Sequence, residues 1–218
     1  MANTNKNDKI VNEKEVDLLT KDYLSSIICE YDFYFKVAKK TVRDKADQYI
    51  SGLFCAERGK RNMERMVEEV KGSEYESLQH FISDSPWDST GLMRQLSRTA
   101  SKELEPYGLI GGTVDEKAHL KKGDKSVGVS RQYAGTIGKV ENCQVGVYLS
   151  LCAGKYALLT NHRLYLPEEW TNDKERCKKA GVPEDRMIFK TKPQLALEMI
   201  KEHLEHGVHF DYIILGTG

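Results

Sequence analysis

Two adjacent acids, Asp115 and Glu116, close an apolar, β-prone run that begins at Leu109. Lys121, Lys122 and Lys125 follow at once, around a Gly123-Asp124 pair. A carboxylate at a strand end beside a cluster of cations suits a divalent metal acting on a phosphodiester: the carboxylate offers hard oxygen ligands, and the cations neutralise phosphate. An acid leaving a strand is usually just solvated, so this spacing alone does not define a site. Other groupings carry less. His203, His206 and His209 resemble a metal cluster, but histidines near a helix end are favoured by the macrodipole anyway, and no zinc-ligand spacing accompanies them. His119 could bond a neighbouring carboxylate, although a surface histidine is the plainer reading. Cys143 and Cys152 fall in strand-like runs as core thiols. No serine sits in a nucleophile elbow, and the Gly-Lys at Gly138 lacks the rest of a phosphate-binding loop.

The elements that would position the acids can be read from periodicity. A Gly-Asp dipeptide between extended runs signals a tight hairpin, so SVGVSRQY is expected to return beside the Leu109–Val114 strand. CQVGVYLSLCA and YALLTNHRLYL then continue an antiparallel meander. After a charged excursion, Lys192-Pro193 opens a helix with its apolar stripe at Leu195, Met199, Ile200 and Leu204, stopped by Gly207. FDYIIL follows as a short buried-type strand. With the helix as a crossover, that strand returns parallel to the first and beside it, making Asp115 and Leu215 neighbours.

The first half reads as a helical bundle. Residues 1–12 are expected to be a disordered tail and 13–107 a helical region. Its helices run from Glu13 to about Lys40, through the Val42–Phe54 stripe, from Met63 to Val70 with an Asn62 cap, over YESLQHFIS, and on through Leu92, Leu96 and Leu104. Their stripes are core on the plain reading. The functional alternative is a DNA-facing surface of Arg58, Lys60, Arg61, Arg65, Arg94 and Arg98, with the segment between Phe54 and Met63 as the turn of a helix-turn-helix.

Composition sets bounds. The chain has 218 residues, 39% hydrophobic and 30% charged, and no apolar run approaches the ~20 residues of a membrane span. The polar N-terminus has no apolar stretch of the kind a secretion signal requires. Five scattered cysteines without a C-x-x-C point to free thiols in a reducing cytoplasm. The 33 basic and 33 acidic side chains cancel, so any nucleic-acid contact must come from local patches.

The wording of VDEKAHLKKGDKSVGVSRQYAGTIGKVENCQVGVYLSL resembles the segment around the first catalytic aspartate in DDE-superfamily transposases of bacterial insertion sequences, the group numbered seven hundred and one. Shared features are the Asp-Glu pair, Lys-Lys-Gly, Ser-Val-Gly-Val-x-Arg-Gln-Tyr and Gly-Lys-x-x-Asn-Cys-Gln. SLQHFISDSPWD upstream and RLYLPEEW downstream add to the resemblance, which runs from about Tyr49 to Tyr212. It implies an RNase H-like domain over 108–218, with a three-stranded antiparallel meander, a crossover helix and a parallel strand. It also implies Mg²⁺-dependent cleavage at transposon ends and strand transfer into target DNA. Asp115 would be the catalytic metal ligand, and Lys121, Lys122, Lys125 and Arg131 phosphate contacts.

The family's pattern then calls for a second aspartate after the last strand and a glutamate on a later helix. This sequence instead reads Ile214-Leu215-Gly216-Thr217-Gly218, and Asp211 comes too early to substitute. The expectation is therefore an incomplete RNase H-like fold in a truncated transposase, inactive alone, with DNA, a second copy or a full-length transposase as partner. The alternatives are a non-catalytic DNA-binding or transposase-inhibiting fragment, or a remnant without a stable fold.

Overall fold

A computed structural model of the chain describes residues 13–57, 59, 61–135 and 137–216. The expected tail over residues 1–12, and Arg58 and Lys60, lie outside the described residues. Two compact units divide at Leu92/Met93.

The first unit begins with α1 (Glu13–Glu30), a 3-10 turn over Asp32–Phe35, and a two-residue ladder of β1 (Lys36–Val37) with β2 (Lys40–Thr41). The long first helix read to Lys40 therefore ends at Glu30. There the aromatic run Tyr31–Phe35 leaves the helical period and turns Phe35 into the core. α2 (Arg43–Cys55), α3 (Met63–Glu69) and α4 (Tyr75–Ser83) follow. Asn62 caps α3, its side chain accepting from the Arg65 N–H at 2.9 Å. Ile28, Phe35, Ala46 and Phe81 form the core, joined by Tyr49, Trp87 and Leu92. Phe81 stacks on Trp87 with ring centroids 5.3 Å apart, and the indole N–H donates to the Phe81 carbonyl. Residues 56–62 separate α2 from α3, longer than the three- or four-residue turn of a helix-turn-helix.

α5 (Ser89–Leu104) leads into the second unit, where β3 (Gly111–Leu120), β4 (Ser130–Ala134), β5 (Lys139–Ala153), β6 (Tyr156–Leu164), α6 (Glu168–Thr171), α7 (Lys174–Lys179), α8 (Lys192–Glu205) and β7 (Tyr212–Leu215) follow. β5 is the longest strand and organises the sheet. One edge pairs antiparallel with β3; the other pairs with β4 near its start and with β6 further on. β7 runs parallel to β3 on β3's free side. Val145, Val147, Leu149, Leu151 and Ala153 are buried at every second position of β5, as a strand with one covered face requires. α8 covers that face with Leu195, Ala196 and Met199 against Val114, Val147 and Leu149. Leu104 of α5 packs with Ile110, Leu151 and Val208. Thr191 forms a capping box with Gln194 at the start of α8, and Pro193 occupies its first turn.

The expected hairpin at Gly123-Asp124 is not formed. β3 pairs with β5 and not with β4, and residues 121–129 cross the end of the sheet to reach the far edge of β5. Gly123 is not among the glycines with positive φ, so the conformation that made Gly-Asp a hairpin signal is not used.

Candidate functional site

β3 is paired on both sides, so its backbone is fixed, and its pleat sends successive side chains to opposite faces. Glu116 points to the face under α8, where its Oε2 lies 2.5 Å from Lys192 Nζ. Lys192 Nζ in turn stands 5.6 Å from the centroid of the Tyr165 ring. Burial, followed by the charges of Glu168 and Glu116, pushes the Tyr165 hydroxyl above its ordinary range. Asp115 points to the opposite, open face and is exposed. Its Oδ1 accepts the Glu116 N–H at 2.8 Å.

Tyr148 is the register partner of Asp115, and His162 that of Tyr148, so all three share the open face. The Tyr148 hydroxyl meets His119 Nε2 at 2.9 Å, so His119 bonds a phenol rather than a carboxylate. The Tyr148 and His162 rings stack at 6.4 Å. Burial, with Arg163 and Arg186 nearby, lowers the His162 pKa. Beyond Leu215, the Gly216 N–H donates to the Val114 carbonyl at 2.8 Å, which carries the β3–β7 pairing one residue on and sets Gly216 beside Asp115. A cavity of about 320 Å³ opens here, walled by Val114, Glu116, Lys192, Ala196 and Leu197, with Asp115 and Gly216 at its rim.

Three side chains fix the segment that follows β3. Asn142 Nδ2 donates to the carbonyls of Lys121 and Gly123 at 2.9 and 2.8 Å. Gln144 Nε2 donates to the Val127 carbonyl at 2.6 Å, and an Arg176 guanidinium N–H to that of Asp124 at 2.9 Å. Arg176 is itself stacked 3.8 Å over the Trp170 ring, and the fully buried Trp170 donates its indole N–H to the Val129 carbonyl. With the backbone held inward, Lys121, Lys122 and Lys125 are exposed, as is Arg131 on β4. Among the described residues no side-chain hydrogen bond or ion pair holds any of the four, although Arg131 adds to the effect of Lys139 in lowering the Glu141 carboxyl. The sequence groups these lysines near Asp115, and the structure places them on the segment leaving that strand.

The four described cations of the alternative DNA-facing surface, Arg61, Arg65, Arg94 and Arg98, are engaged within their own units. Arg61 donates to the Ala56 carbonyl, Arg65 pairs with Glu68 at 2.6 Å, and Arg98 donates to Gln95. Arg94 pairs with Glu202 at 3.2 Å. Glu202, which motif reading passed over, also accepts from Arg163 and Asn161 and so ties α8 to β6 and α5. Burial alone would raise its carboxyl; Asn161, Arg163 and Arg94 outweigh this and hold it at about 2. No sequence motif marks this cluster, because Arg94 and Glu202 stand 108 positions apart. The three late histidines are dispersed: His203 on Thr160, His206 on the Glu202 carbonyl, His209 beside Asp211.

Four antiparallel strands and a parallel one reached through a helix, with an acid on the strand between β5 and β7, make an incomplete RNase H-like fold. Residues 32–218 match the family described as DDE superfamily endonuclease, and the chain belongs to that family. A probable transposase for insertion sequence element IS701 from Microchaete diplosiphon is 28% identical over 192 residues, which cover 85% of this chain and 46% of that protein. The chain thus spans about half the length of the curated relative it matches. No solved structure matches it.

Family membership implies a Mg²⁺-dependent type of active site, and the donors present here do not fit one. Among the described residues no three histidine, cysteine or acidic side chains converge on one point. Asp115 faces away from Glu116, and a single carboxylate would supply only part of the donor set that a two-metal site needs.

Proposed function

We propose that this chain is the DNA-gripping portion of a bacterial insertion-sequence transposase. The whole protein would cut at the element's ends and join them to target DNA. In this reading Lys121, Lys122, Lys125 and Arg131 contact the phosphate backbone and Asp115 stands beside the scissile phosphodiester. One observation carries it: four exposed cations whose side chains make no hydrogen bond or ion pair among the described residues, three of them on a segment whose backbone is held by Asn142, Gln144 and Arg176. A pre-fixed row of cations contacts phosphates at lower entropic cost than lysines on a loose loop. Contacts of this kind read the backbone and not the bases, so binding is indifferent to sequence.

A second reading is favoured by the lone carboxylate on the open face: by itself the chain holds DNA without cutting it, and acts on a full-length transposase as an inhibitor that occupies its substrate.

The test is salt-dependent binding to duplex DNA, followed by fluorescence anisotropy in EDTA. Four phosphate contacts give a slope of log K against log salt of roughly −3.6, and each lysine or arginine replaced by alanine removes about 0.9 of it. Binding whose salt slope is unchanged when all four residues are replaced would refute the assignment.

A further inference from the structure

Two tyrosines on the open face of the sheet are each laid down over a glycine. A Cβ at Gly146 would fall 2.6 Å from the Tyr148 hydroxyl and 2.7 Å from two of its ring carbons. A Cβ at Gly111 would fall 2.6 Å from the Tyr212 ring and 2.8 Å from its hydroxyl. A side chain at either position would lift the ring, and both glycines are buried beneath. Tyr148 is pinned further by its bond to His119, and the His162 ring beside it is inclined to it by only 23°. Tyr148 is half-buried and Tyr212 is 44% exposed.

Gly111, Asp115 and Lys117 stand at alternate positions of β3 and so share the open face. Tyr212 is the register partner of Gly111, and Gly146 that of Lys117. Along the strands the two rings therefore lie level with residues 111 and 117, roughly 20 Å apart at 3.3 Å per residue, with Asp115 between them. That is too far for one base and suits a run of nucleotides. Lys117 is exposed beside Gly146, and no side-chain hydrogen bond or ion pair holds it among the described residues. Asp115, Lys117, His119 and His162 divide this face into separate rings. A protein partner would need a continuous core depleted of charge, which the face does not offer.

We propose that Tyr148 and Tyr212 are a stacking platform for an unpaired DNA strand, whose bases rest on the two rings while the phosphates between them pass Asp115. The proposal deepens the reading that sets Asp115 beside the scissile phosphodiester, and rests on it. A duplex keeps its bases stacked on one another and presents sugar and phosphate to a surface. An opened strand presents base faces, and every base has one, so the platform does not read sequence. Rings fixed in advance by Gly146, Gly111 and His119 take a base at low ordering cost. Lys117 supplies the phosphate contact that accompanies a stacked base.

The test compares a short mixed-sequence DNA single strand with the duplex of the same sequence, by fluorescence anisotropy in EDTA on the full 218-residue chain. Tyr148→Leu and Tyr212→Leu fill the space over their glycines without an aromatic face, so they separate stacking from packing. Each is expected to weaken single-strand binding about fivefold or more, the low end of what a base stacked on an aromatic ring is worth. Duplex binding should not change. Tyr148→Phe and Tyr212→Phe keep the ring and should stay within about twofold of the unchanged chain. Unaltered single-strand binding in either leucine variant overturns the inference. So does an equal loss on single strand and duplex, or a phenylalanine variant that loses as much as leucine. A chain that dimerises in sedimentation, and whose leucine variants are monomers, would give the face to a second copy and overturn it too. A duplex salt slope that ignores the lysines refutes the lysine assignment alone, and the comparison of single strand with duplex still stands.

Discussion

His203 offers a direct test of how the second unit is held together. Its imidazole is 3% exposed, and its Nε2 lies 2.9 Å from the Thr160 hydroxyl. Thr160 is the extra residue of a bulge in β6, and its hydroxyl donates to the Leu149 carbonyl at 3.1 Å. That leaves the oxygen to accept, so His203 donates from Nε2. Burial lowers its pKa most; Glu202 opposes, Arg163 and His206 assist, and the result is about 4 against an ordinary 6.5. Between those values the unfolded chain binds a proton that the native chain refuses, so stability rises with pH across the window and falls as pH drops from 6.5 towards 4. The shift from 6.5 to about 4 is worth about 3 kcal/mol at full effect, a large part of the 5–15 kcal/mol typical of a domain. Urea unfolding at steps from pH 7 to pH 4 measures it. His203→Gln keeps an N–H for Thr160 and cannot titrate, so its profile should be flatter by about that amount. Parallel profiles for the two proteins would refute the placement of a neutral, buried imidazole.

Glu202→Gln should cost roughly 1–3 kcal/mol in urea unfolding at neutral pH, below the 3–5 of a fully buried pair because the side chain is 17% exposed. It should also flatten the acid limb between pH 4.5 and about 2, where a carboxyl depressed in the folded state loses its contribution as pH falls; an unaltered limb would count against the network. Asn142→Ala removes two hydrogen bonds worth roughly 0.5–1.5 kcal/mol each. Amide exchange should accelerate over residues 121–125 with Val145–Leu151 unchanged, and unaltered protection of 121–125 would mean that the segment is held by something else.

What was legible in the sequence was whatever depends on local period and chain order. β3, β5 and β6 follow from alternation, α8 from its cap signals and stripe, and β7 beside β3 from the handed crossover. The Gly123-Asp124 hairpin failed because its signal is local while the determinants are not. Asn142, Gln144 and Arg176 reach back 17 to 52 positions to hold the segment, and no turn propensity reports that. The same contacts give the residues of the family-like wording their places here. In Asn-Cys-Gln the two amides hold the lysine segment, and the cysteine between them faces inward, fully buried. In Arg-Gln-Tyr, Gln132 bonds the Gly128 and Cys143 carbonyls while Arg131 points out. The place of Gly216 was likewise hidden, since only the strand register shows which residue after FDYIIL meets Asp115.

The two parts of the site depend on different residues. Asn142, Gln144, Arg176 and Trp170 hold the lysine segment, and none of them bonds Asp115 or Gly216. Asp115 is placed by the β3–β5 and β3–β7 ladders. A chain of this design can lose one capacity and keep the other. On the proposed reading the lysine segment would hold DNA whatever the acid binds, and that is the property a non-cutting competitor of a transposase needs.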